Sequence, residues 1–233
     1  MLTKRSPGAT RLFARRVYLD LKQEIDTLTL PQEEYEAIQH RPGVLEYVSP
    51  RVMIMSTLVW LIPLVEEHLA ARDIAREDAR VLDAGARDGW TVALFEQLGF
   101  ARAQGVELVD QLVDHATAQG RNVQKGDIQQ LSGLEDGAFD LVFCRHTLEH
   151  TMDPRRALCE LIRVARPGGL IYVALPLERQ AHGKHTTAIP NLRLLGKLAD
   201  GELVEVIKLM RSADTGAIIP DADEALLLLR KSG

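Results

Sequence analysis

The sequence predicts a doubly wound α/β fold, a mostly parallel seven-stranded sheet preceded by an N-terminal helical extension. Three observations predict it. The segment Val81–Trp90, VLDAGARDGW, passes from an apolar strand through Asp83 and two glycines into a helical pattern at Thr91–Gln97. From residue 80 onward strand-like apolar runs alternate with helix-like segments, and such alternation implies parallel strands joined by crossover helices. Helix-like segments close on Gly99 and Gly120, where glycine accepts the left-handed turn that ends a helix.

The strands are expected at Arg80–Asp83, Ala103–Glu107, Asn122–Gln124, Phe139–Cys144 and Leu170–Leu175, with two more at Leu203–Met210 and Ala225–Leu229. Between them the spacing predicts helices over Asp88–Leu98 and Asp110–Ala118. A third has Asp153 as its N-cap, proline at its first position (Pro154) and an end at Ala165, stopped by Pro167-Gly168-Gly169. Before the sheet, one helix is expected at Leu12–Asp26. A second starts at Pro31, with Glu33 and Glu34 suiting its dipole. A break follows at Arg41-Pro42-Gly43, and then a long helix at Val52–Arg72. The chain thus divides into an extension, 1–75, and a sheet domain, 76–233.

Bulk properties narrow the function. A chain of 233 residues with 46% hydrophobic content can bury a sizeable core, and a net charge of −5 argues against a nucleic-acid or anionic-membrane surface. The basic start, Lys4, Arg5, Arg11, Arg15 and Arg16, reads as a surface helix rather than a transit peptide or nucleic-acid arm. Its two cysteines, Cys144 and Cys159, lie in apolar runs and make no disulfide framework, which together with the lack of an apolar leader core points to the cytoplasm. The apolar run Val52–Val65 is interrupted by Ser56, Thr57 and Pro63, so it reads as a helix packed on the domain and not as a transmembrane segment. Gly85 and Gly89 leave main-chain N–H groups bare beside a helix N-terminus, the arrangement that receives a nucleotide-like cofactor.

Five segments, VLDAGARDG, GVELVD, GDIQQL, FDLVFCRHTLEHTMDP and RVARPGGLIYVALP, follow one another between residues 80 and 176. In order and interval they resemble the class I S-adenosylmethionine-dependent methyltransferases, in particular the small type 11 group. The resemblance implies S-adenosyl-L-methionine as cofactor and a Rossmann-like sheet. It implies that Glu107, at the end of the second strand with Leu108 beside it, accepts hydrogen bonds from both ribose hydroxyls. Asp127 would accept from the adenine amino group, with Ile128 as an apolar wall. Asp83 and the loop of Gly85, Ala86, Arg87 and Gly89 would line the methionine end. Arg145 and His146 would face the sulfonium and the acceptor. An unperturbed His146, titrating near 6.5, is the expected general base for an alcohol or phenol acceptor.

Where the family pattern carries a middle glycine, this chain has Arg87, a costly choice if that position needs positive φ. His146-Thr147-Leu148-Glu149-His150 also fits H-x-x-E-H, but Asp153 caps a new helix directly afterwards and leaves no long helix to present both rings to zinc. No metal is therefore expected. A nicotinamide dehydrogenase is disfavoured because G-x-G-x-x-G is absent. A small-molecule methyl acceptor is expected, chosen by the extension and by Leu177–Leu195, where His182, Lys184 and His185 cluster. A non-catalytic scaffold on the same fold is the alternative.

Overall fold

The computed structural model describes residues 25–28, 30–40, 51–211 and 224–233. In chain order the elements are β1 (Asp26–Thr27), α1 (Gln32–Gln39), α2 (Arg51–Ala70), β2 (Arg80–Ala84), α3 (Trp90–Gln97), β3 (Arg102–Glu107), α4 (Asp110–Ala118) and β4 (Val123–Lys125). They continue with β5 (Phe139–Arg145), a 3₁₀ turn (Leu148–His150), α5 (Pro154–Val164), β6 (Ala165–Pro176), β7 (Thr187–Ala188), α6 (Leu192–Leu198), β8 (Val204–Arg211) and β9 (Glu224–Lys231).

Seven strands form one sheet in the order β4-β3-β2-β5-β6-β9-β8. β4, β3, β2, β5 and β6 run parallel, and β9 is antiparallel to both β6 and β8. This is the expected Rossmann-like architecture. The central strands are apolar almost throughout because helices cover both faces. Alternate side chains divide between two cores. Leu82, Val142, Ile171 and Leu227 pack on one face with Leu158 and Leu161 of α5 and Leu194 and Leu195 of α6. Val81, Leu141, Tyr172 and Leu228 pack on the other with Leu61 and Val65 of α2 and Val92 and Phe95 of α3. On that second face Phe143 stacks on Tyr172 with ring centroids 4.9 Å apart.

Helix α2 carries its buried stripe at Ile54, Leu58, Leu61, Val65 and Leu69, the spacing of one helical face. Its segment Met53–Ala70 is long and apolar enough to cross a membrane by length and composition, and one third of that segment is buried against the sheet.

Three differences from the sequence reading have a physical cause. Most of the helix expected at Leu12–Asp26 lies outside the described residues, but its end does not: Asp26–Thr27 is a strand paired antiparallel with Thr187–Ala188. Its partner comes from far along the chain, so local periodicity could not reveal it. Helix α3 begins at Trp90, not Asp88, because Arg87 (φ 50°) and Gly89 (φ 71°) both take left-handed backbone. Pro167-Gly168-Gly169 does not separate a helix from a strand, since β6 starts at Ala165, directly after α5. The three residues form an irregularity inside β6: Ala165 pairs with Phe139, and the ladder resumes with Leu170 on Leu141. A Cβ on Gly169 would stand 2.9 Å from the carbonyl oxygens of Arg166 and Phe139, so only glycine fits there.

Candidate active site

The carboxyl ends of β2, β3, β4 and β5 open on one crevice, where a doubly wound sheet offers a binding site. Gly85, directly after β2, has φ 88°, and a Cβ there would meet Thr147 Oγ1 at 2.2 Å. Glycine thus lets the 146–150 segment close over the loop. The N–H groups of Gly85 and Ala86 are spent on Val106 O, at 2.8 and 2.9 Å. The N–H of Arg87, turned by its positive φ, donates to Glu107 Oε2 at 2.9 Å, while Val109 N–H donates to Glu107 Oε1 at 2.9 Å. Glu107 is buried, and burial pushes its carboxyl pKa up against the lowering effect of these amides.

Asp127 Oδ1 accepts from Gln129 N–H at 2.8 Å. Gln129 Oε1 accepts from Met152 and Asp153 N–H, and its amide reaches Tyr35 Oη at 3.4 Å. One glutamine therefore ties the third strand's loop to the start of α5 and to helix α1.

The crevice has two lobes. The smaller, about 100 Å³, is lined by Tyr35, Glu107, Leu108, Asp127 and Ile128, among others. The larger, about 560 Å³, is lined by Asp83, Ala86, Arg145, Glu149 and His185 among others. Gly85, Arg87, His146, His150 and Lys184 border both. Gly89 borders neither. It terminates the loop and faces Val123, whose Cγ2 would lie 2.7 Å from an added Cβ.

The electrostatics of the larger lobe are dense. Asp83 is buried, and burial, then Glu107 and Asp88, push its pKa up to about 8. Arg145 Nη2 pairs with Glu224 Oε1 at 2.7 Å. His146 has φ 51°, with Nε2 2.7 Å from Glu224 Oε1 and Nδ1 3.2 Å from Glu149 Oε1. Burial alone would lower its pKa; the bonds to Glu149 and Glu224 outweigh it and raise it to about 9. Glu149 is correspondingly held at about 2, the His146 bond overcoming burial. The expectation of an unperturbed His146 is corrected here: both ring nitrogens face carboxylates, so the ring holds protons and offers no lone pair to an acceptor.

Sequence reasoning missed Tyr35, Glu149 and Glu224. Glu149 stood inside H-x-x-E-H, and Glu224 as the last acid before the apolar run of β9; Tyr35 gave no signal. His146 and His150 do not share a helix. His146 precedes the short turn Leu148–His150, His150 ends it, and His150 Nδ1 bonds Lys184 O at 2.9 Å.

Residues 82–173 match the methyltransferase-domain family. The chain is 29% identical over 157 residues to a demethylmenaquinone methyltransferase of Lactococcus lactis, covering 62% of this chain and 60% of that protein. It is 31% identical over 119 residues to a ubiquinone biosynthesis O-methyltransferase of Xanthomonas oryzae, covering 48% of each. The chain thus spans about half of each of these curated relatives. Among solved structures it resembles a complex between the Haloferax volcanii Trm112 methyltransferase activator and a methyltransferase. That match has a TM-score of 0.59 at 19% identity, over 72% of this chain and 89% of that one. The chain carries, over residues 82–173, a class I S-adenosylmethionine-dependent methyltransferase domain of the type 11 group.

Proposed function

We propose that the protein transfers the methyl group of S-adenosyl-L-methionine to an oxygen, nitrogen or carbon nucleophile of a small molecule in the cytoplasm, with residues 1–75 as an extension that helps choose the acceptor. The observation that carries this reading is Glu107, its carboxylate fixed by the N–H groups of Arg87 and Val109 at the edge of the smaller lobe. Two amides occupy two of its roughly four acceptor positions, which leaves room for a ribose diol. Asp127 and Ile128 beside it suit an adenine edge and face. The residues present therefore fit the cofactor.

When bound, the cofactor supplies a methyl group already activated by a sulfonium. The residues of this chain hold and align. Glu107 and Asp127 would orient the nucleoside, and Asp83 with the Gly85–Arg87 loop would receive the methionine end. Alignment of nucleophile and methyl is the main source of rate in such a transfer. His146 borders both lobes and, with its two ring nitrogens held by Glu224 and Glu149, would act as a fixed positive charge beside the acceptor rather than take its proton. The relatives named as a demethylmenaquinone methyltransferase and a ubiquinone biosynthesis O-methyltransferase favour a small-molecule acceptor.

Calorimetry on cofactor-stripped protein tests this directly. S-adenosylmethionine and its demethylated product should both bind, and Glu107→Ala should weaken them by about 1.5–3 kcal/mol, the range for a charged hydrogen bond. No heat at millimolar ligand would favour a non-catalytic scaffold. Labelled cofactor incubated with metabolite pools would then identify the species that gains a methyl group.

A further inference from the structure

We propose that Glu149, His150 and His185 form a site for one divalent transition-metal ion, zinc in the first place, on the wall of the larger lobe. Their ligand atoms lie within 4.8 Å of one another, and the two imidazoles meet edge to face with centroids 4.8 Å apart. Ligands on a tetrahedral zinc, with bonds of about 2.0–2.1 Å, stand about 3.3 Å apart, so small side-chain rotations close the set.

The hydrogen bonds around the cluster fix which atoms are free. His150 Nδ1 stands 2.9 Å from Lys184 O, and a carbonyl only accepts, so Nδ1 carries the proton and Nε2 keeps its lone pair. His185 Nδ1 stands 2.8 and 2.9 Å from the two oxygens of Glu178, and since a carboxylate accepts, Nε2 is the nitrogen left for a ligand. A backbone carbonyl on one histidine and a carboxylate on the other are the outer partners that orient metal-binding imidazoles. Glu149 is buried, and its Oε2 has no hydrogen-bond partner among the described residues. A buried carboxylate oxygen left bare calls for a cation or a donor.

The frame is tied together. Thr186 and Thr187 hydroxyls both donate to Thr151 O, and the Gln39 amide donates to Lys184 O. The neighbouring charges are mixed: His146, Arg145 and Lys184 on one side, Glu178 and Glu224 on the other. A second trio, Glu178, His182 and His185, also lies within ligand range. It is the weaker choice, because Glu178 is engaged as the partner of His185 Nδ1 and the His182 side chain is 66% exposed. Two histidines and one glutamate make a borderline N₂O set that suits zinc and leaves a fourth position open. That position borders the lobe, where the ion would hold an acceptor oxygen; this role, unlike the binding, rests on the methyltransferase reading.

The test uses the full chain purified without a metal-affinity tag, stripped with chelator and reloaded with zinc or cobalt(II), with no cofactor present. Elemental analysis should find one zinc per chain, and cobalt(II) should show the visible absorption of a four-coordinate ion. His185→Ala and Glu149→Gln should lose the ion. Glu178→Gln, which leaves every ligand in place, should weaken binding by about 10–100-fold, and His182→Ala should retain it. Circular dichroism on each variant separates lost binding from lost folding. Wild-type protein that keeps no metal in micromolar zinc would overturn the proposal, as would a His182→Ala variant that loses the ion while Glu149→Gln keeps it. S-adenosylmethionine calorimetry on the same stripped sample reads the methyltransferase assignment separately.

Discussion

The two ends of the central strands both bury carboxylates, and they treat them in opposite ways. At the amino end, Asp140 of β5 accepts from Arg80 N–H at 2.9 Å and from Arg166 at 2.8 Å, with Arg72 at 3.9 Å. At the carboxyl end, Asp83 is pushed up to about 8, and Glu149 and Glu224 each keep an oxygen without a hydrogen-bond partner among the described residues. Two of the three non-glycine residues with positive φ among the described residues, Arg87 and His146, also sit there. At the amino end the buried carboxylate has its partners and serves stability. The other end stores unsatisfied charge and backbone strain, as sites built for a ligand do.

Breaking the amino end should cost the most. Asp140→Ala removes a buried acid and leaves the Arg80 N–H without its partner. Because Arg72 and Arg166 remain partly hydrated, the loss should be about 2–4 kcal/mol in urea unfolding, below that of a fully enclosed pair. A change under half of that would mean the guanidinium cluster is ornamental.

At the carboxyl end the sign should reverse. Asp83 has a folded pKa of about 8 against 3.8 for the ordinary group. Between those values the folded state binds more protons than the unfolded one, so this contribution is present at low pH and is lost as pH rises toward 8. Asp83→Asn should flatten that slope and raise Tm at pH 8 by roughly 3–8 °C, since 1 kcal/mol moves a domain of this size by about 2–4 °C. The same variant should bind cofactor less well. A lower Tm at pH 8 would show that Asp83 is ionised and stabilising.

A smaller effect sharpens the same contrast. In metal-free protein His146 should titrate near 9, so its ion pairs stabilise the fold below about 6.5 and fade as pH rises through 9. Glu224→Gln should lower that titration by at least about one unit, roughly 1.4 kcal/mol, read from the imidazole resonances. A wild-type midpoint at 6.5 would remove Glu149 and Glu224 as its partners. Smallest of all should be Gly120→Ala, far from either end, where φ is 72° but nothing lies within 4 Å of an added Cβ. Only backbone strain remains, about 1 kcal/mol.

Much of this molecule was legible in one dimension. The alternation of apolar runs and glycine-closed helices determined the parallel core, because each strand's burial is written in its own residues. Asp153 and Pro154 likewise announced the start of α5, and Asp153 Oδ1 does accept from Arg156 N–H at 2.9 Å. The positions of Asp83, Glu107 and Asp127 at strand ends followed from the same periodicity. What the sequence could not hold was pairing between distant segments. Glu224 meets His146 only because β9 inserts antiparallel beside β6, and that insertion turned an expected base into a cation. The β1–β7 ladder and the approach of His185 to His150 have the same origin. Tyr35 of α1 reached the smaller lobe for that reason too. Local propensity fixes elements residue by residue, whereas the charge state of a buried group depends on neighbours that only the tertiary fold delivers.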